Sequence, residues 1–171
     1  MKLIFGIVLG VLLVSISVFS YFKFGYAPVA TAAPPMPFEA MLAHMGLHAR
    51  MDKEVLKSAP FQAVEADLQN GAQLYRQHCA VCHGLPDQPK TALAKGMYPD
   101  PPELFRGKGV TDDPATETYW KVSNGIRLTG MPSYSTSLSQ KEMWQISFLL
   151  AGADKLPAAV QETLKKTLAV N

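Results

Sequence analysis

The apolar positions of this chain fall into blocks with different periods. Residues Leu3 to Phe22 carry no charge, are nearly all apolar, and lie between Lys2 and Lys23. At about 1.5 Å per residue, a helix of that length crosses a hydrocarbon layer of roughly 30 Å. Residues 1–24 are therefore expected to form a transmembrane helix. A cleaved signal peptide is the rival reading, with an apolar core of about 7–15 residues followed closely by a small-residue site. The best such site, Ala30-Thr31-Ala32, lies well past Lys23. That distance favours an uncleaved signal anchor, and under either reading the remainder is exported.

Residues 25–37 hold the proline- and alanine-rich stretch Ala27 to Pro37, which has no apolar period and reads as a semi-rigid linker. Helical spacing returns in an accessory segment, 38–66. There Phe38, Met41, Leu42 and Met45 predict a helix from Phe38 to Lys57. His44, His48 and Asp52 recur every four residues and share one face of it. They could bind a metal or supply an iron ligand; with no further ligand nearby in sequence, a solvated polar stripe is the favoured reading. A second helix is expected from about Asp67, carrying Gly71, Leu74 and Tyr75 into Cys79.

Leu85 to Val110 contains five prolines and several glycines, which predicts an irregular loop with at most one short helix. Asp113-Pro114 suits a helix start, with aspartate as cap and proline first in the helix, and Asn124-Gly125 suits its end; Trp120 and Val122 give it something to bury. Ser139 and Glu142 form a capping box, Leu138 can staple to Met143, and Trp144 and Phe148 share a face before a stop at Gly152. Leu156, Val160, Leu164 and Leu168 repeat every four residues in a stretch that ends at Val170. This is either an extra helix packed on the domain or a partner contact, and packing is favoured.

Charge changes this picture little. The net charge is +2 with a pI near 8.5, too weak a bias to argue for nucleic acid or an anionic surface. Between Gly84 and Met131, six basic residues balance six acidic ones, so no charged docking ring is expected.

Chemistry enters at Cys79-Ala80-Val81-Cys82-His83, which holds the only two cysteines. A C-x-x-C-H run is what covalent haem attachment needs, because each thiol adds to one porphyrin vinyl group and the histidine then lies under the iron. A helix sets Cys79 and Cys82 one turn apart on one side, as two vinyl groups on one porphyrin edge require. A redox dithiol and half a zinc site are the competing readings. The export signal favours haem, since a covalent c-type haem is attached outside the cytoplasm.

From Asp67 to Gly152 the chain resembles the class I cytochromes c, in the segment NGAQLYRQHCAVCHG, the later Gly130-Met131-Pro132 loop and the closing aromatic helix. The resemblance implies an all-α fold in which N- and C-terminal helices cross with the haem between them, here preceded by a transmembrane helix and an extra helix. The cytochrome domain would span 67–153, followed by a helical tail over 154–171. It further implies one covalently bound haem c on Cys79 and Cys82, with His83 and Met131 as axial iron ligands. Gly71 and Tyr75 would pack on the last helix, although Gly71 could also be only a cap. A proline carbonyl after the motif would accept a hydrogen bond from His83; Pro86 and Pro89 are nearest, and spacing does not choose between them. Met97 is a weaker ligand candidate than Met131, and a buried core methionine is the alternative for Met131 itself. His78 reads as a surface or haem-edge residue.

An iron held by both His83 and Met131 has no open site, so it exchanges electrons and does no substrate chemistry. Neutral thioether ligation in an apolar pocket favours ferrous iron and a relatively high potential. The expected protein is a single-pass electron carrier of a bacterial inner membrane, not an enzyme, with its haem domain in the periplasm. A cleaved, soluble periplasmic form is the alternative. Its redox partners would be a respiratory complex or periplasmic oxidoreductase on one side and a terminal oxidase or reductase on the other. Two further readings stand beside it: a fixed cytochrome subunit of a membrane oxidoreductase complex, and a haem sensor or peroxidase-like enzyme with an open iron site.

Overall fold

The computed structural model describes residues 1–106 and 111–166. Among these described residues eight helices follow in order: α1 (Lys2–Lys23), α2 (Glu39–Glu54), α3 (Glu65–His78), α4 (Ala80–His83), α5 (Ala92–Lys95), α6 (Ala115–Asn124), α7 (Gln140–Ala151) and α8 (Ala158–Lys165). No strand occurs among the described residues, so the fold is all-α as its sequence predicts.

The chain divides into two compact units, Met1–Ala43 and His44–Asn171. In the first, α1 is long and apolar enough to cross a membrane and buries none of its residues; an anchor and a signal sequence share those properties. In the second, α3, α6, α7 and α8 enclose a core of Tyr75, Val122, Met143, Ile146, Leu149, Val160 and Leu164. Fully burying one such side chain contributes roughly 1.5–3 kcal/mol, so this cluster is the main source of stability.

The α3–α7 crossing sets the frame. A Cβ added to Gly71 would stand 2.3 Å from the Gln145 carbonyl oxygen, closer than any side chain tolerates. Gly71 is therefore the contact point of two backbones and not a cap. Beside it Gln145 Nε2 donates to Asp67 Oδ1 (2.9 Å), a buried bond that fixes the register of the two helices. That bond, with the Val64 amide donating to the other Asp67 oxygen, holds the Asp67 carboxyl below its ordinary range. The capping box at Ser139 and Glu142 forms as predicted, and Leu138 and Met143 are both buried.

The tail packs on the domain, as favoured: Leu156, Val160 and Leu164 are buried, and Gln69 Nε2 donates to Thr163 Oγ1 (2.6 Å). Leu168 and Val170 lie outside the described residues.

Two local expectations are corrected. Pro114, not Asp113, occupies the cap of α6, and Asp113 instead pairs with Lys121 in the last turn of the helix. Asp113 thus lies one residue before the cap, outside the first helical turn, and its carboxylate accepts from the Lys121 ammonium instead. Trp120 is not a core residue: it is half-buried and donates from Nε1 to Glu54 Oε2 at the end of α2 (3.1 Å). Tyr119 takes the inward position, stacking on Trp144 at 4.2 Å.

Candidate haem site

The helix expected to run through the motif breaks at Cys79, which caps α3 with a non-ideal φ of −109°. A separate turn, α4, then carries Ala80 to His83. The amides of Cys82 and His83 both donate to the Cys79 carbonyl, at 3.1 and 2.9 Å, so the two thiols and the imidazole still share one turn. Gly84 ends that turn at φ +75°, and the buried Tyr75 hydroxyl donates to its carbonyl (2.8 Å). The Tyr75 ring meets Phe105 edge-on at 5.0 Å, a contact the spacing of residues did not reveal. Burial pushes the Cys79 thiol up to about 12, so at neutral pH it is a thiol and not a thiolate.

His83 Nδ1 lies 2.8 Å from the carbonyl of Pro102. A carbonyl only accepts, so Nδ1 carries the proton and Nε2 keeps its lone pair. Burial also lowers the His83 pKa, which favours the neutral imidazole that ligates iron. The acceptor is thus neither Pro86 nor Pro89. The chain between them first passes through α5, whose cap Thr91 donates from its hydroxyl to the Val81 carbonyl, and only then returns Pro102 to the imidazole. His78 is half-buried against the ring of Tyr134 (5.9 Å), whose hydroxyl donates to the His78 carbonyl (2.8 Å).

Met131 enters from the loop after α6. Gly125 ends that helix at φ +67°, and a Cβ there would stand 2.6 Å from the Pro132 carbonyl carbon and the Ser133 nitrogen. Only glycine allows so close a return of the chain. The Ile126 amide then donates to the Met131 carbonyl (3.2 Å), and the Met131 amide to Thr129 Oγ1 (3.1 Å). Leu128 projects from the tip, 93% exposed and at φ +61°. Met131 is half-buried and packs against the core.

The donor set fits a c-type haem: two thiols and a neutral imidazole on one turn, and a thioether on a glycine-hinged loop. His44 and His48 face one another at 6.2 Å on exposed α2, and no trio of metal-binding side chains gathers among the described residues.

Residues 66–147 match the family described as cytochrome C oxidase, cbb3-type, subunit III. Over 89 residues, 51% of this chain, the sequence is 30% identical to the quinohemoprotein alcohol dehydrogenase ADH IIB of Pseudomonas putida. The chain spans only 11% of that relative's length.

Proposed function

We propose that residues 66–147, which match a cytochrome family, carry one covalent haem c and pass single electrons between redox partners while α1 tethers them to the membrane. The bond between His83 Nδ1 and the Pro102 carbonyl carries this reading, because it leaves Nε2 oriented and unprotonated. A bound haem supplies one-electron exchange at its iron. Cys79 and Cys82 would hold it through thioethers, and His83 Nε2 and the Met131 sulfur would hold the iron. Tyr75 and Tyr134, bonded to the Gly84 and His78 carbonyls, keep the attachment turn in place. With α1 as an uncleaved anchor, the domain works at the periplasmic face of an inner membrane. Its partners are a respiratory complex or periplasmic oxidoreductase and a terminal oxidase.

Proteolysis and mass spectrometry of protein purified from membranes test the attachment. Haem is expected on the peptide containing Cys79 and Cys82, and to be absent from a Cys79→Ser/Cys82→Ser variant. Haem that acid extraction removes from the unaltered protein would refute the assignment.

The family match favours a second reading, since its description names a subunit of an oxidase and the relative is an enzyme with this domain as one small part. Here the domain is a fixed subunit and α1 packs against other membrane subunits. Mild detergent extraction separates the two: a carrier migrates as a monomer, a subunit with its complex.

A further inference from the structure

The segment from Met97 to Pro102 touches both candidate axial sides. At one end the Pro102 carbonyl meets His83. In the middle Lys90 Nζ donates to the Pro101 carbonyl (3.2 Å) and pairs with Asp100. At the other end the half-buried side chain of Met97 lies on Gly130, the neighbour of Met131. A Cβ built on Gly130 would stand 2.0 Å from the Met97 Cε and 3.7 Å from its Sδ, so the methionine methyl fills the space a side chain would take.

We propose that Met97 is a positioning residue for Met131, seating its thioether on the Gly130 backbone and so setting where the Met131 sulfur stands. The proposal rests on Met131 being the distal ligand. The loop that presents Met131 closes through its own hydrogen bonds among Ile126, Thr129 and Met131, while its tip at Leu128 faces solvent. Met97 adds a contact from a distant part of the chain, directly beside the ligand. An unbranched, flexible thioether suits the task, since it conforms to an irregular backbone surface. Gly130 is the counterpart, giving the methyl a seat. The same segment thereby braces His83 by a carbonyl and Met131 by a packing contact.

The test uses the full-length holoprotein with three readouts: the methionine-to-iron charge-transfer band of the ferric form, the rate at which imidazole displaces the sixth ligand, and thermal unfolding. Met97→Ala is expected to speed displacement by roughly 10- to 100-fold, the range for residues that support a metal ligand, and to weaken the band. Met97→Leu keeps the volume without the sulfur and should exchange within about twofold of the unaltered protein. Gly130→Ala expels the methyl and should also speed exchange. Combined with Met97→Ala it should add little, because both changes remove one contact. Unchanged exchange in Met97→Ala overturns the proposal, and if that variant does not fold, unchanged exchange in Gly130→Ala does so. Loss of the band in Met97→Leu also overturns it, by making the Met97 sulfur itself the ligand. Failure of the underlying assignment shows separately, as a band that persists in Met131→Ala.

Discussion

The two sides of the candidate haem site are built on different principles. On the proximal side, Cys79, Cys82 and His83 occupy one turn, joined to α3 and held by hydrogen bonds from buried Tyr75 and half-buried Tyr134. On the distal side, Met131 hangs from a loop that begins at a glycine with positive φ and reaches its tip at an exposed leucine in the left-handed region. The first inherits the rigidity of the helix crossing, whereas the second depends on a short loop and its neighbours. Under the proposed function, that asymmetry puts retention of the haem on the rigid side and tuning of the iron on the adjustable side.

The sharpest way to break the comparison is Met131→Ala. Covalent haem should be retained in full, while the methionine signature disappears and carbon monoxide binds the reduced protein at neutral pH. Carbon monoxide binding by the unaltered protein would instead mean that the distal side is open, as a sensor or peroxidase-like site requires.

A smaller effect is expected from Gly125→Ala, which forces a side chain into positive φ and against Pro132 and Ser133. Strain of this kind costs about 1–3 kcal/mol. Denaturant unfolding should show that loss, with the distal ligand released at lower denaturant than the helices. Simultaneous loss of both would show the loop and the crossing to be one cooperative unit.

The smallest effect concerns acid and the proximal frame. Asp67, depressed by its bonds to Gln145 and Val64, contributes stability that is fully present above the ordinary carboxylate range and is lost as pH falls through its lower folded value. Asp67→Asn should flatten the stability profile below about pH 4 by less than about 1 kcal/mol. An identical profile in the variant would show that other carboxylates govern acid unfolding.

The sites legible in the sequence are those made by neighbours along the chain. The C-x-x-C-H turn, the Ser139–Glu142 capping box and the Leu156, Val160 and Leu164 stripe follow from spacings of three and four residues, because a helix brings such positions together whatever surrounds them. The place of Gly71 at the helix crossing follows only from resemblance, since a glycine inside a helical run does not say which backbone approaches it.

By itself, then, the sequence determined the all-α class, the apolar first helix and the local order of the attachment motif. Tertiary structure alone decided that Pro102 is the carbonyl bonded to His83, that Asp113 serves Lys121, that Tyr119 rather than Trp120 turns inward, and that Met97 lies on Gly130. The physical reason is common to all four. Periodicity ranks positions within an element, but a partner outside that element depends on the path the chain takes through space.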